Sequence, residues 1–192
     1  MILTPEFRKE YLKLYESQTQ NPSFPNFYTT LAKAVSSITS GKSRYEAVSV
    51  RTGVPWYVVG LIHLLECSSN FSQHLHNGDP LKFRTVHVPT GRPPLDHWTW
   101  EDSAVDALQL DKLTAWKDWS IAGILYKLET YNGLGYRNHN INTPYLWSGT
   151  NHYIKGKYGS DGRWDPNLVS KQLGAAPILK DMASRELIRL TK

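Results

Sequence analysis

Apolar residues return at helical spacing along most of the chain, and short polar or Pro/Gly-rich segments separate these runs. Such periodicity predicts amphipathic helices that pack on a common core. Thr4 and Thr99 are placed as N-caps, and Asp102 completes a capping box with Thr99. The predicted helices are EFRKEYLKLYES after Thr4-Pro5, FYTTLAKAVSSITSG with Gly41 as its stop, Ser43 to Arg51, WYVVGLIHLLE after Pro55, WEDSAVDALQLDKL after Thr99, Trp116 to Thr130, and Pro177 to Leu190.

One segment has the character of a strand. Phe83 to Val88 lies within KFRTVHVPTGRPP, and the prolines and glycine that follow would close it as an edge strand or hairpin. The sequence therefore predicts a mainly α fold, a helical bundle with a small β-hairpin after the helix that ends near Glu66. Residues 1–192 are enough for a single domain with a sizeable core.

The helix WYVVGLIHLLE is apolar nearly all round, as is typical of a core helix, yet it ends in Glu66. A helix C-terminus disfavours an ionised carboxylate, and burial against Leu65, Trp56 or Phe71 would act in the same direction. Both effects would raise the pKa of Glu66, and a protonated carboxyl is what a glycosidase needs as its general acid. The alternative is an ordinary solvated glutamate at a helix end.

The segment GVPWYVVGLIHLLECSSNF resembles the catalytic helix of the lysozyme-like superfamily, and it is closest to goose-type lysozymes and lytic transglycosylases. In these families the helix ends in the catalytic glutamate, which corresponds to Glu66. Cys67 stands where the family usually has serine, and Phe71 lies slightly later than the family phenylalanine. The resemblance therefore implies that Glu66 is the catalytic acid.

A later segment, LETYNGLGYR, resembles the family segment that lines the substrate cleft, with the match at Tyr131, Asn132 and Gly133. The order of the two motifs, with a β element between them, also resembles single-domain phage endolysins. The resemblance implies an α+β lysozyme-like fold. It also implies a muramidase or lytic transglycosylase that cleaves β-1,4 bonds between N-acetylmuramic acid and N-acetylglucosamine. Hydrolysis and transglycosylation both stay open.

Asp79 is the candidate for a second catalytic carboxylate, thirteen residues after Glu66 on the loop before the predicted strand. It could activate a water molecule, as in inverting glycosidases. It could equally cap the turn in NGDP. Without a second acid, Glu66 would serve as acid and base in turn, and the N-acetyl or 6-hydroxyl group of the substrate would complete the reaction.

Further residues are candidates for contacts with the sugar. Thr85 and His87 are two positions apart, so they would share one face of the predicted strand. In the long Gly-, Asn- and Tyr-rich connection, glycine permits close approach of a substrate to the backbone, arginine suits an anionic group, and aromatic side chains stack on sugar rings. The candidates there are Gly133, Tyr136, Arg137, Trp147, Asn151 and Tyr153, together with Tyr131 and Asn132.

Two other classes of function compete with the glycosidase. His74, His76 and His87, with Asp79 between them, could bind zinc in a peptidase that cuts the peptide part of peptidoglycan. No HExxH motif is present, however, and the spacing of His63-Leu-Leu-Glu66 does not match it. The chain could also be a wall-binding or nucleic-acid-binding module, although basic modules of this size usually carry a denser basic stripe.

The net charge of +5 and pI near 9.2 indicate an anionic partner, and the 22 basic residues are spread along the chain. By charge alone, that partner is nucleic acid, an acidic membrane or an acidic cell-wall polymer. The resemblance to the lysozyme-like superfamily implies bacterial peptidoglycan as the partner, with no nucleic acid, no cofactor and no metal, and a monomeric protein. The seven tryptophans and eleven tyrosines suit a saccharide groove.

The sequence also predicts where the protein is made and where it acts. One cysteine excludes an internal disulfide, and the N-terminus does not have the pattern of a signal peptide. A run of eighteen apolar residues is also missing, so we expect no stable membrane insertion. The sequence thus predicts a protein that is made in a host cytoplasm and acts on the cell wall after the membrane is permeabilised.

Overall fold

A computed structural model describes residues 2–159 and 162–192, and the chain is mainly helical, with 49% of it in helices. The mainly α fold class is thus confirmed. The helices are α1 (Pro5–Ser17), α2 (Phe27–Ser40), α3 (Lys42–Thr52), α4 (Trp56–Cys67), α5 (Trp100–Leu110), α6 (Ile121–Asn132), a 3₁₀ helix (Gly135–His139), α7 (Pro144–Trp147) and α8 (Ala175–Ser184).

The predicted caps hold the helix starts. The side chain of Thr4 accepts a hydrogen bond from the backbone of Phe7 at 3.3 Å. At α5, Thr99 and Asp102 form the reciprocal capping box that satisfies two backbone donors. The helix predicted from Trp116 begins only at Ile121, because Ser120 caps the backbone of Gly123. The last helix, α8, ends at Ser184 rather than Leu190.

The predicted β-hairpin between α4 and α5 is wrong. Residues 68–98 form irregular loops, with one isolated bridge between Gln73 and Pro80. The physical reason is local, because the backbone N–H groups of Val86 and His87 donate to the carboxylate of Asp79 instead of to a neighbouring strand. The small antiparallel sheet lies later, where Lys157–Tyr158 pairs with Trp164–Asp165.

The chain divides into two compact units. The first comprises the described residues up to Val35 and Trp119–Lys192. Within it α1 packs against α6, and α7 packs against both α6 and α8. Its core is rich in buried side chains from all four helices, among them Tyr11, Ile124, Trp147 and Met182.

The second unit is Ser36–Asp118, in which α3 packs against α4 and α5. Four rings form its aromatic centre: Tyr45, His63, Phe71 and Trp100. Gly60 lets α4 approach this centre, because a Cβ atom there would lie only 2.8 Å from the side chain of Ile38. The rings therefore form a packed support beneath the last turns of α4.

A helix that crosses a membrane needs about 20 mostly apolar residues. In the described ranges no single helix is long and apolar enough to cross a membrane. The pair α3 and α4 passes that test together by length and composition, with a bend of 115° between them.

Candidate functional site

Glu66 is the penultimate residue of α4, as the sequence predicted. The helix is buried from Tyr57 to His63 and again at Leu65, but Glu66 is exposed. The expectation that Glu66 would be buried against Leu65, Trp56 or Phe71 is therefore wrong. A buried helix thus ends by presenting one carboxylate to solvent.

The turn after Glu66 has an unusual backbone. Ser68 and Ser69 both adopt left-handed conformations, with φ values of 51° and 58°. Their N–H groups donate to the carbonyls of Leu64 and His63 at 3.0 and 3.1 Å, which closes the end of the helix. A left-handed conformation costs a non-glycine residue about 1–2 kcal/mol, so two in succession store strain beside Glu66.

His63 lies one turn before Glu66 and points into the aromatic centre. It is fully buried, and its Nδ1 lies 2.9 Å from the Tyr45 hydroxyl. Burial lowers the pKa of His63 to about 4, so the ring is neutral at physiological pH. The ring therefore acts as a packed, uncharged support for the end of α4.

Cys67 occupies the position where the resembled family has serine. Its side chain is 5% exposed, and the Sγ–H donates to the carbonyl of His74 at 3.3 Å. Burial raises the pKa of the thiol to about 11. Cys67 therefore faces the interior while its neighbour Glu66 faces solvent.

Asp79 is 6% exposed, and both of its oxygens accept hydrogen bonds from its own loop. The ring of His87 lies at 2.6 Å, the backbone N–H groups of Val86 and His87 donate at 2.8 and 2.9 Å, and the amide of Asn77 donates at 3.1 Å. These contacts, above all the hydrogen bond from His87, lower the pKa of Asp79 far below its usual range. Two roles were predicted for Asp79, the activation of a water molecule and the capping of the turn. The geometry favours the capping of the turn.

Thr85 and His87 do not share a strand face. Thr85 is buried; its hydroxyl donates to the carbonyl of Pro89 and accepts from the backbone of Arg92 at 2.9 Å. The side chain of His87 is exposed, and its Nδ1 is engaged by Asp79. The prediction of a common surface is wrong, because no strand forms here and Thr85 holds the loop from inside.

The histidines of the zinc alternative are engaged by other groups. His74 uses both ring nitrogens, one with the Ser103 hydroxyl at 2.6 Å and one with the carbonyl of Phe83 at 2.7 Å. His76 is paired with Asp106 at 2.8 Å, and burial lowers the pKa of His76. In the part of the chain that the structure describes, no three His, Cys, Asp or Glu residues form a set that could hold a metal ion.

The Ser36–Asp118 unit carries a groove of about 720 Å³. Trp98 forms part of its wall as a half-buried side chain, and its indole N–H donates to the carbonyl of Leu81 at 2.8 Å. This hydrogen bond fixes the ring, while Lys82 and Asp96 supply one charge of each sign. The groove is lined by Phe71, Ser72, Pro80, Leu81, Lys82, Asp96, His97 and Trp98.

Arg137 is surrounded by carboxylates in the other unit. It makes two hydrogen bonds to Glu129, at 2.8 and 2.9 Å, and one to Glu10 at 3.1 Å, and it also donates to the hydroxyl of Tyr11. Two adjacent carboxylates would repel an anionic ligand. The charge of Arg137 is therefore compensated within the protein, which does not favour its predicted role in binding a muramic acid or peptide carboxylate, and that role stays a prediction.

Tyr131, Asn132 and Gly133 lie at the end of α6. Tyr131 is half-buried with its ring 6.4 Å from that of Tyr145, and exposed Asn132 donates to the hydroxyl of Thr143 at 3.3 Å. Gly133 has a φ of 99°, and a Cβ atom there would meet nothing within 4 Å. Its backbone conformation, rather than close packing, requires glycine at this position.

Three of the aromatic residues that were candidates for stacking on sugar rings are core residues. Tyr136, Trp147 and Tyr153 are 7%, 1% and 3% exposed, so their faces are covered by protein. Asn151 is exposed, but its Oδ1 accepts from the backbone of Thr19 at 2.8 Å. The predicted stacking roles are wrong because this Tyr/Trp-rich connection packs inward.

Two residues with site-like surroundings were not predicted from the sequence. Trp98 lines the groove of about 720 Å³ in its unit, and Glu129 is a buried carboxylate in α6. Trp98 follows the segment GRPPLDH, and an aromatic residue after a proline-rich turn was an available signal. No signal in the sequence pointed to Glu129, because its partners Tyr11 and Arg137 come from other parts of the chain.

No family model matches this chain, and comparisons with curated proteins and with solved structures likewise gave no match.

Proposed function

We propose that the protein is a glycosidase that cleaves the glycan strands of bacterial peptidoglycan, with Glu66 as the general acid. One observation carries the proposal. A helix that is otherwise buried ends by exposing a single carboxylate, and a strained turn at Ser68 and Ser69 follows it directly. Backbone strain of this kind is concentrated at functional sites.

The proposed chemistry requires little from the rest of the chain. Glu66 would donate its proton to the glycosidic oxygen as the bond to the sugar breaks. Because Glu66 is exposed, the exclusion of water that strengthens this step must come from the bound substrate covering the end of α4. The packed rings of Tyr45 and His63 would keep the helix end in place during the reaction.

The groove walled by Phe71 and Trp98 suits such a substrate. Carbohydrate rings present C–H faces that pack on aromatic side chains, and Trp98 is held in place by its hydrogen bond to Leu81. The charge of +5 adds attraction to an anionic wall. We therefore assign the groove to glycan binding within the proposed function.

The second step needs a nucleophile. Because the oxygens of Asp79 are engaged by Val86 and His87, we favour a route with Glu66 as the single catalytic carboxylate. Glu66 would then act as base after acting as acid, and either water or the 6-hydroxyl group of the substrate would attack. Water gives a muramidase, and the internal hydroxyl gives a lytic transglycosylase.

The test is mass spectrometry of purified peptidoglycan digested with the protein and with Glu66→Gln. The parent should yield new reducing ends or anhydro-sugar ends, and Glu66→Gln should lose about 10²- to 10⁴-fold in rate while keeping its circular dichroism. Glu46→Gln is the matched control, since Glu46 is an exposed glutamate on α3 in the same unit. New amino termini would indicate a peptidase, and Glu66→Gln with more than half the parent rate would exclude Glu66 as the acid.

The proposal includes the route to the substrate, which is delivery after the membrane has been permeabilised. Expression alone should leave the host cells intact, and a membrane-disrupting agent should then cause rapid lysis. Lysis of expressing cells without that agent would contradict this route.

A further inference from the structure

The loop of residues 80–98, between α4 and α5, exposes four large apolar side chains. Phe83, Val86 and Val88 are 63%, 70% and 86% exposed, and Leu95 is also exposed. Exposed apolar residues are usually scattered singly, whereas an exposed apolar patch with a polar rim marks an interaction site. None of these four residues lines the groove assigned to glycan binding, so the proposed function leaves them without a role.

The 80–98 loop is held in one conformation by its own hydrogen bonds. The backbone N–H of Thr85 donates to the carbonyl of Arg92 at 2.8 Å, and the N–H of Gly91 donates to the carbonyl of Thr85 at 2.8 Å. The guanidinium of Arg92 in turn binds Asp106 on α5. The apolar side chains are therefore exposed on an ordered loop, and a partner would not have to order the backbone when it binds.

The same contacts bring the two halves of the loop together. The pairing of Thr85 with Arg92 places the segment around Val86 beside the returning segment. Arg84 joins the two halves a second time, because its guanidinium donates to the carbonyl of Leu95 at 2.9 Å. The exposed apolar residues of both halves therefore belong to one region of the surface.

Basic side chains border this apolar region. The basic residues of the loop are Lys82, Arg84 and Arg92, and its one acidic residue is Asp96. The ammonium group of Lys82 lies 5.5 Å from the centre of the Phe83 ring. Arg84 lies 3.7 Å from Asp96, and an exposed pair of this kind contributes little, so Arg84 can exchange it for another anion. The surface that complements the loop is therefore apolar within and negatively charged at its border.

A bilayer with anionic headgroups has both properties. Apolar side chains enter the boundary between headgroups and acyl chains, and basic side chains are attracted by the negative potential of the lipid phosphates. A protein partner fits less well, because a stable interface needs about 800 Å² on each side and four side chains offer less than that. A membrane has no such requirement for a large matching area.

We propose that the 80–98 loop binds the surface of a membrane rich in anionic phospholipid. The exposed valines and phenylalanine would enter the boundary between headgroups and acyl chains, and Lys82 and Arg84 would bind lipid phosphates. Binding would be peripheral and reversible, with no part of the loop crossing the bilayer. It would involve no chemical step at Glu66 and would not depend on a glycan.

The test is sedimentation of the full chain with two kinds of vesicle, phosphatidylcholine alone and an equimolar mixture with phosphatidylglycerol. The mixed vesicles should bind the protein at least about tenfold more tightly. Val86→Ser combined with Val88→Ser should weaken that binding by about tenfold or more, because less apolar surface leaves water. Val50→Ser is the matched control, since Val50 is 89% exposed on α3 in the same unit, and it should bind as the parent does.

A second pair of variants tests the contribution of charge. Lys82→Gln combined with Arg84→Gln should weaken binding to the mixed vesicles by about twentyfold, at roughly fivefold for each cation near the lipid surface. Lys9→Gln combined with Lys33→Gln removes the same charge from exposed lysines in the other unit. Its effect should be several-fold smaller, because those lysines would lie away from the bilayer.

All of the substituted side chains are exposed, so the variants should keep the melting temperature of the parent. Absence of binding to the mixed vesicles would overturn the assignment, as would equal binding of the parent and the double valine variant. Equal binding to both kinds of vesicle would overturn the choice of an anionic surface. Dimers in ultracentrifugation that the valine substitutions abolish, without vesicle binding, would assign the loop to self-association instead. The vesicles contain no glycan, so failure of the proposed function is read separately.

Discussion

Helices α4 and α6 look alike in sequence and differ in what they do with their glutamate. Each has 12 residues, is mostly buried, and carries one glutamate in its last turns. Glu66 in α4 is exposed, whereas Glu129 in α6 is 3% exposed and lies against Arg137 and Tyr11. The same pattern therefore gives a presented carboxylate in one unit and a buried ion pair in the other.

The C-terminal turns of the two helices also differ. The chain leaves α6 through Gly133, which adopts a positive φ without steric cost, but it leaves α4 through Ser68 and Ser69, which do not. Around Glu129 the protein supplies compensating charge and hydrogen bonds, and burial together with Glu129 raises the pKa of Tyr11. The end of α6 is therefore the more stabilised of the two, and the exposed, strained end of α4 is the one to which we assign the proposed acid.

The largest effect that separates the two glutamates should be on stability. Glu129→Ala leaves the half-buried guanidinium of Arg137 with Glu10 as its remaining carboxylate partner. Removing one member of a buried pair costs about 3–5 kcal/mol, so we expect a loss near the lower end of that range. Glu66→Ala should change the free energy of unfolding by less than about 1 kcal/mol, as is usual for exposed positions. Urea unfolding of both variants measures this. Equal losses would remove the distinction between the two helix ends.

Acid should weaken the unit of α4 through His63. Its pKa is lowered to about 4 in the folded protein, below the unfolded value of 6.5, so the unfolded state binds more protons between these values. The stability that His63 contributes is present above pH 6.5 and is lost as the pH falls towards 4, by about 3 kcal/mol in total. Urea unfolding at pH 7 and pH 4 tests this, and His63→Phe should reduce the dependence on pH in that window.

Replacement of Asp79 should affect the structure of its loop rather than the proposed catalytic step. Asp79→Asn removes the negative charge and replaces one of the two acceptor oxygens with an NH₂ group, which weakens the contacts to Val86 and His87. Proteolysis within residues 80–98 should therefore become faster. Under the proposed function, cleavage of purified peptidoglycan should fall by less than about tenfold, well short of the loss expected for a catalytic acid or base. A loss as large as that of Glu66→Gln would restore Asp79 as the second catalytic carboxylate.

The smallest effect should come from the two helix ends themselves. Ser68→Gly relieves the strain of a left-handed residue and should raise stability by up to about 1 kcal/mol. Gly133→Ala places a side chain at φ 99° and ψ 146°, a region that is essentially restricted to glycine, and should lower stability by about 1–2 kcal/mol. Melting temperatures of the two variants measure the contrast. Destabilisation by Ser68→Gly would show that the serine side chain, rather than its backbone, holds the end of α4.

The helices were predictable because their determinants are local. Thr4, Thr99 and Asp102 cap helices whose apolar spacing is plain in the sequence. The hairpin prediction failed because the carboxylate of Asp79 accepts the hydrogen bonds from the N–H groups that would otherwise pair with a second strand. The alternation of apolar and polar residues does not reveal such a contact between residues seven or eight positions apart. The burial of Trp147 was missed for a similar reason, since composition does not distinguish an aromatic groove from an aromatic core.

At the candidate site, the sequence predicted the place of Glu66 at the helix end but not its exposure. Whether the last turn of α4 meets solvent depends on how residues 68–98 return across the unit, and their irregular path is set by individual side-chain contacts. Glu129 was invisible because its environment is assembled from Tyr11 and Arg137, which lie 118 and 8 residues away.

The inward position of Cys67 has a consequence for redox chemistry. A thiol with a pKa of about 11 is almost entirely protonated at neutral pH, and only the thiolate is readily oxidised or exchanges with disulfides. At 5% exposure, the sulfur is also out of reach of a second chain. The protein can therefore work in oxidising surroundings without cross-linking into dimers or losing the packing under α4 to sulfenic acid, even though the residue beside its proposed acid is the one cysteine it contains.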